Sequence, residues 1–282
     1  MPAKILDGRV LAAEIRAKIK TRVASLAHTP GLAAILVGDD PASHLYVSLK
    51  QKACEEAGIH FELHQFSDDN SETEVIARIR ELNKRADIHA ILVQIPLPPK
   101  FSEDAVIEAI DPQKDVDGFH PVNLDRILSG HPFIVPGVAL GILRLVESAR
   151  LPLADKTAVL LVNSAVFALP IERLFEEKGL HVHVVLAPKN LTTLDAKFLR
   201  ADVLITAIGR PQVITSKFVK ENAIVIDVGT NRLPDGTLVG DVDFSEIQKM
   251  AAAITPVPGG VGPMTVAMLL ENVVRLAELP SR

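Results

Sequence analysis

Val37-Gly-Asp-Asp-Pro-Ala-Ser-His-Leu-Tyr-Val-Ser-Leu-Lys-Gln-Lys-Ala-Cys-Glu-Glu-Ala-Gly58 runs from a strand end through a turn into a helix. The apolar run Leu32–Val37 before it reads as a buried strand stopped by Gly38. Gly38 to Pro41 is turn chemistry, and Ser43 is placed to cap the next helix. From Leu45 the pattern is helical until Gly58 ends it. Tyr46 and Lys50 lie four residues apart, so on that helix they share a face one turn from each other. A phenol and an amine set together just beyond a strand end can orient a polar ligand and move a proton. A core tyrosine beside a snorkelling lysine has the same spacing, so this stretch alone leaves both readings open.

Composition narrows the class. The chain has 282 residues, 48% of them apolar and 23% charged, which is the profile of a globular protein with room for one large or two medium domains. Its formal net charge is −5 and no run of Lys or Arg forms a basic stripe, so a nucleic-acid partner is not expected. The one cysteine, Cys54, excludes an internal disulfide and suits a reducing compartment. Cys54 continues the Tyr46–Lys50 stripe, but no histidine lies near it in sequence, and it reads as a structural residue. The first twenty residues mix charges among the aliphatics and carry no signal-peptide core, and no apolar run approaches membrane-spanning length. The expected location is cytoplasmic, with no membrane partner.

Outward from the opening stretch, strand and helix alternate. Before it, Ile5 to about Ala27 reads as an amphipathic helix ending near Pro30-Gly31. After it come a strand at Ile59–Phe66, a helix at Glu72–Arg85 and a short buried strand at Ala90–Val93. The prolines of Gln94-Ile-Pro-Leu-Pro-Pro99 forbid continuing the sheet. A helix is predicted over Ser102–Ile110, then a polar loop over Asp111–Pro121. His131 to Pro136 is a linker candidate. Beyond it the pattern predicts helices at Gly141–Ala149 and about Ala168–Lys178. Strands are predicted at Thr157–Val162, His181–Leu186, Val203–Ala207 and Ala223–Val228. Such alternation argues for an α/β protein with largely parallel sheets. Small or polar residues come after each of the later strands, and the carboxyl ends of strands form the ligand crevice of open α/β sheets. This half is therefore expected to bind a nucleotide-like molecule. The last loop, Thr255–Thr265, is rich in Pro and Gly, with Pro263 placed to begin a closing helix through Leu279. A helix start of that kind offers free N–H groups to an acceptor.

Five segments in this order resemble the bifunctional methylenetetrahydrofolate dehydrogenase/methenyltetrahydrofolate cyclohydrolase family. They are Gly38-x-x-Pro-Ala-Ser-x-x-Tyr46-x-x-x-Lys50, Gln94-Ile-Pro-Leu-Pro98, Lys114-Asp-Val-Asp-Gly-Phe-His-Pro121, Asp227-Val-Gly-Thr-Asn-Arg232 and Thr255 to Thr265. The likeness spans nearly the whole chain. It implies a two-lobed α/β fold: a folate-binding catalytic domain at 1–131, a Rossmann-like NAD(P)-binding domain at 132–263, and a C-terminal helix at 264–282 that returns to the first lobe. It also implies a folate substrate held in the cleft between the lobes, NADP as cofactor, homodimerisation and no metal. Carried over by residue, Lys50 corresponds to the catalytic lysine and Tyr46 to the tyrosine that stacks on the folate. Gln94 corresponds to the glutamine that hydrogen-bonds the lysine, Asp117 to the carboxylate that holds the pterin, and Gly262 and Pro263 to the substrate loop. The residue types suit the chemistry. An amine among apolar walls has a lowered pKa and exchanges a proton near neutrality. A carboxamide orients that amine without adding charge, and an ionised aspartate accepts paired N–H donors.

The second lobe departs from the family pattern where the cofactor is expected. Pro136-Gly-Val-Ala-Leu-Gly141 lacks the family's threonine and the proline after it. At the first strand-to-helix turn, Val162-Asn-Ser-Ala-Val-Phe-Ala-Leu-Pro170 has Val162 and Ala168 where the family has glycines. Glycines there let backbone approach a phosphate and let helix pack on strand. After the next strand, Ala187-Pro-Lys189 offers only Lys189 toward a 2′-phosphate. Val162, Asn163, Ser164, Gly209 and Thr230 hold the expected cofactor positions. The expectation is an intact folate site beside an eroded NADP site, with Val162 standing where the dinucleotide would lie and cyclohydrolase activity outlasting the dehydrogenase. His181 and His183 share a strand face, but no carboxylate or cysteine joins them and no metal is expected.

Overall fold

The computed structural model describes residues 2–191 and 201–279. In chain order the elements are β1 (Lys4–Ile5), α1 (Gly8–Ala24), β2 (Gly31–Val37), α2 (Pro41–Ala57), β3 (His60–Phe66), α3 (Glu72–Asn83) and β4 (Ala90–Val93). Next come α4 (Glu103–Glu108), α5 (Pro121–Leu128), α6 (Gly137–Ser148), β5 (Thr157–Val162), α7 (Ala165–Glu176) and β6 (His181–Leu186). The chain closes with β7 (Val203–Ala207), β8 (Ile224–Asp227), β9 (Asn231–Arg232), β10 (Leu238–Val239), α8 (Phe244–Ile247), β11 (Ala253–Ile254) and α9 (Val261–Ala277). These elements form two compact units. One is Ala13–Gly137 with Val266–Arg282; the other is Met1–Ala12 with Val138–Thr265.

The first unit is built on a parallel sheet ordered β3-β2-β4. All seven residues of β2 are buried, so both faces of this strand are covered and it reads as one apolar run. Alternation still sorts the side chains. Leu32, Ala34, Ala90 and Leu92 pack with Ile19, Cys54, Leu269 and Leu270, while Ala33, Ile35, Ile91 and Val93 pack with Val75, Ile79 and Val106. The C-terminal half of α9 thus completes this core, the return expected of the closing helix. Arg22 of α1 fastens it, pairing with Glu271 at 2.6 Å and with Glu278.

The second unit carries a six-stranded sheet ordered β1-β11-β8-β7-β5-β6, parallel throughout. After β6 the chain returns to the opposite side of β5 as β7. The carboxyl ends of β5 and β7 are therefore a topological switch point, where ligands bind in open α/β sheets.

Several element bounds differ from those read in the sequence. The first helix begins at Gly8, not Ile5, because Lys4 and Ile5 pair with Ala253 and Ile254. This pairing puts residues 1–12 with the second unit, whereas the expected domain ran unbroken from residue 1 to 131. Helix α7 begins at Ala165 rather than Ala168, since the Ser164 hydroxyl accepts the Phe167 amide and caps it directly. Helix α6 begins at Gly137 rather than Gly141. A Cβ at Gly137 would lie 3.2 Å from Leu269 N, so glycine there lets α9 approach closely. Pro263 is the third residue of α9, not the first, and is tolerated because first-turn amides have no partner within the helix. The end of the polar loop, from Pro121, continues as α5, capped by His120 Nδ1 on the Val122 amide at 3.1 Å.

Candidate active site

In the first unit, α2 is fixed at both ends. Its cap is Asp40, which accepts the Ser43 amide at 2.8 Å, rather than Ser43 itself. Gly58 closes it at φ +80°, a left-handed conformation that glycine takes without penalty. Val47, Ala53, Cys54 and Ala57 turn inward. Tyr46 is 38% exposed and Lys50 is half-buried one turn on.

Lys50 Nζ donates to Gln94 Oε1 at 2.9 Å. The carboxamide is itself held: Gln94 Nε2 donates to the Ile95 carbonyl at 2.7 Å and its backbone N–H to the Ile35 carbonyl at 2.9 Å. With its amino end committed, Gln94 presents oxygen to the lysine and leaves the amine lone pair free when Lys50 is neutral. Burial pushes the Lys50 pKa below the ordinary lysine value, opposed by the charge of Asp117. The same burial pushes the Cys54 thiol up to about 12, so it stays protonated and inert, as the structural reading of this residue expects.

Asp117 stands on a loop built from behind. The Ile91 amide donates to the Lys114 carbonyl at 2.7 Å and Asp115 bridges to Ile91, so this segment runs beside β4. The buried Asp115 carboxylate accepts Gly118 N at 3.0 Å, His120 N at 2.8 Å and Asn123 Nδ2 at 3.0 Å. Gly118 turns the chain at φ +76°, where a Cβ would lie 2.8 Å from the Ile134 side chain. From α9, buried Asn272 donates to the Val116 carbonyl at 3.0 Å and the Val135 carbonyl at 2.9 Å. Asp117 borders a cavity of about 20 Å³ whose other walls include Ile91, Val93, Ile95 and Phe119. Burial raises its carboxyl to about 6, the Lys50 charge acting against this and the Asp115 charge with it. A carboxylate and an amine, each driven toward neutrality by burial, therefore share one apolar setting.

Of the residues expected in the site, the structure joins Lys50 to Gln94 by a hydrogen bond and places Asp117 where its charge acts on Lys50; sequence reasoning misses the groups behind them. Asp115 reads as part of the polar loop, and Asn123 is not singled out. Asn272 carried a usable signal, an amide at helical spacing from the apolar Leu269 and Leu276. Lys114, within the same motif, closes the end of α3 by donating to the carbonyls of Leu82 and Arg85 at 3.1 and 2.6 Å. Gly262 and Pro263 lie in the first turn of α9, within the second unit, with Gly262 exposed.

In that second unit, Val162, Asn163, Ser164, Gly209 and Thr230 all sit at the carboxyl ends of β5, β7 and β8, flanking the switch point. Val162 is the last residue of β5 and is fully buried. Its side chain turns into the core, which corrects the expectation that it stands where a dinucleotide would lie. Ala168 is 1% exposed and shares the buried face of α7 with Ile171 and Phe175. Ser164 and Thr230 are exposed, and Asn163 Nδ2 donates to the Ile208 carbonyl at 2.9 Å. Val162 and Ala168 are both buried, so neither side chain stands at the exposed start of α7, whose first-turn amides suit a dinucleotide phosphate. The expectation of an eroded site is not supported. Among the described residues, no group of three or more His, Cys, Asp or Glu side chains could hold a metal ion. No helix among them is long and apolar enough to cross a membrane.

Comparison with known proteins places the chain in one family over both parts of its length. Residues 6–117 match the tetrahydrofolate dehydrogenase/cyclohydrolase catalytic domain, and residues 136–280 match the NAD(P)-binding domain of the same name. A bifunctional protein FolD of Anoxybacillus flavithermus is 48% identical over 280 residues, covering 98% of each chain. The crystal structure of the bifunctional FolD methylenetetrahydrofolate dehydrogenase/cyclohydrolase from Campylobacter jejuni superposes with a TM-score of 0.92 at 41% identity. It covers 98% of this chain and 99% of that one. The Trypanosoma brucei enzyme, complexed with NADP cofactor and inhibitor, gives a TM-score of 0.93 at 32% identity over 99% and 98%.

Proposed function

Because this chain belongs to the tetrahydrofolate dehydrogenase/cyclohydrolase family, we propose that Lys50, Tyr46, Gln94 and Asp117 are the residues through which it works on a folate's one-carbon unit. The chain is an enzyme of one-carbon folate metabolism. It hydrolyses 5,10-methenyltetrahydrofolate to 10-formyltetrahydrofolate and oxidises 5,10-methylenetetrahydrofolate with NADP.

The observation that carries the assignment of residues is the Lys50 Nζ–Gln94 Oε1 hydrogen bond beside Asp117. The methenyl bridge is a delocalised cation, and water adds to its carbon. Lys50, its pKa lowered by burial, takes the proton of that water as the C–O bond forms. The hydroxyl so formed then gives up its own proton as the C=O bond forms and the bond from this carbon to N5 breaks; N5 takes one of the two protons, the other leaves to solvent, and the formyl group stays on N10. Gln94 aims the amine without adding a charge that would hold it protonated. Asp117, once ionised, accepts the paired N–H donors of the pterin's amino-pyrimidine edge, and Tyr46 offers its ring to the pteridine face. Gly262 and Pro263 are assigned to the substrate loop. When bound, NADP supplies the hydride acceptor for the methylene substrate. The backbone turn that leaves Val162 through Asn163 and Ser164 would hold it at the start of α7, with Gly209 and Thr230 at the neighbouring strand ends and the Val162 side chain kept in the core.

Loss of the methenyl-folate chromophore, monitored with native protein and with Lys50→Met, tests the reading. Native protein should clear the chromophore at least about 100-fold faster than the variant, the scale of a lost general base. Equal rates would remove Lys50 from the chemistry, and a native protein without effect would leave a non-catalytic folate binder. NADP reduction with the methylene substrate reads the second activity in the same samples. The chain is further proposed to act as a cytoplasmic homodimer without nucleic-acid or membrane partners. Its net charge of −5 and single cysteine support the compartment and the absence of nucleic acid, and sedimentation equilibrium would check the dimer.

A further inference from the structure

Two carboxylates in the second unit lie outside this chemistry and are among its most deeply buried polar groups. Asp227, at the end of β8, is 3% exposed, and Asp241, after β10, is fully buried. Among the described residues, neither meets a basic side chain. Asp227 Oδ1 accepts the amides of Gly229 and Asp241, each at 3.0 Å, and Oδ2 accepts that of Val242 at 2.9 Å. Asp241 Oδ1 accepts Arg210 N at 2.9 Å and Asn231 Nδ2 at 3.1 Å. Its Oδ2 accepts Ile208 N at 2.7 Å and the Thr206 hydroxyl at 3.2 Å. The two segments interlock through glycine. A Cβ at Gly229 would fall on the Asp241 carboxylate, and one at Gly240 on that of Asp227. Only glycine at both places lets the loops close on each other's acid.

What these acids hold is the rim of the crevice. Asp241 takes the amides on either side of Gly209, which turns at φ +64°. The Ile208 carbonyl, on the far side of the same peptide segment, accepts Asn163 of the β5 turn. The Arg210 side chain donates to the carbonyls of Pro188 and Lys189 in the β6 turn, at 2.8 and 3.3 Å. Asn231 and Gly229 belong to the β8 turn. One carboxylate and its partner therefore tie together the turns after β5, β6, β7 and β8. An amide donor left without its acceptor in such a buried place is costly, and so these turns have one arrangement.

We propose that Asp227 and Asp241 are positioning residues for NADP, a buried carboxylate couple that sets the four strand-end turns forming its crevice. The proposal rests on the NADP reading and adds to it how the site is held in shape without several of the family's cofactor-side residues. Lys50, Gln94 and Asp117 belong to the other unit.

Asp241→Asn tests it. The amide nitrogen replaces one acceptor oxygen and meets the Ile208 or Arg210 N–H as a second donor. Calorimetric titration of NADP should show affinity about 10–100-fold weaker, the cost of one buried unsatisfied amide. Hydrogen exchange at Ile208 and Arg210 should accelerate without cofactor present, while chromophore clearance stays within about twofold of native. Thr206→Val removes a single donor to the same carboxylate and should weaken NADP about two- to fivefold; it decides the matter should Asp241→Asn fail to fold. Native-like NADP affinity in a folded Asp241→Asn protein, or in Thr206→Val where the first does not fold, overturns the proposal. An unmodified protein that does not bind NADP overturns the cofactor reading and this proposal together. Parallel loss of NADP binding and chromophore clearance in Thr206→Val would make the couple a general structural element, overturning the proposal alone.

Discussion

Replacing Gln94 by Glu changes one atom in the shell of Lys50 and reverses its electrostatics. The carboxamide oxygen stands 2.9 Å from Nζ and is uncharged. A carboxylate there adds a full negative charge at that distance. Coulomb's law with an effective dielectric of about 20 gives an attraction of roughly 6 kcal/mol, an upper bound. A carboxylate beside a cation shifts pKa values by about 1–3 units in practice, or roughly 1.4–4 kcal/mol. The direction opposes burial, which now holds the Lys50 pKa down. If the neutral amine is the base, chromophore clearance rises with pH through the Lys50 pKa, and the variant's acid limb moves to higher pH by that shift. At a fixed pH on this limb the rate falls about tenfold per unit. The assay is the pH dependence of kcat/KM for the methenyl substrate between about pH 5 and 9, read beside Gln94→Leu, which removes the oxygen without adding charge. An acid limb in Gln94→Glu that coincides with the native one would refute a proton-accepting Lys50 oriented by this side chain.

The carboxyl of Asp117, raised to about 6 by burial, gives folate affinity its own pH dependence. Pterin binding to the ionised form is full above that value and is lost as pH falls through it. Asp117→Asn should weaken folate binding about 10–100-fold at about pH 7.5, the range of a charge-assisted hydrogen bond, and flatten the pH dependence of Kd. Asn272→Ala leaves the buried carbonyls of Val116 and Val135 without their donor, which costs roughly 1–3 kcal/mol for each stranded group. Differential scanning calorimetry should register a Tm lower by several degrees, and an unchanged Tm would mean that the contact holds nothing.

The alternation of strands and helices, the two-unit plan and the pairing of Tyr46 with Lys50 on one helix face were legible because they are local. Periodicity of 2 or 3.6 is written in neighbouring residues, and Gly58 marks its helix end by its own backbone freedom. Boundaries set by distant partners were not legible. Lys4 and Ile5 have helical spacing with the residues after them, yet they form a strand because Ala253 and Ile254 offer an open edge. Val162 looked like an obstruction because a sequence shows the size of a side chain and not its direction. As the last residue of a buried strand it packs in the core.

By itself the chain fixed which chemical groups are available: one amine a turn from one phenol, a carboxamide before a proline-rich loop, an aspartate in a glycine turn. Tertiary structure decided what those groups are. Lys50 and Gln94 are 44 positions apart, and Asn272 reaches Val116 across 156. Depressing an amine, raising a carboxyl and seating two acids among backbone amides all need water excluded from several sides at once. No run of neighbouring residues can do that, because desolvation belongs to packed elements.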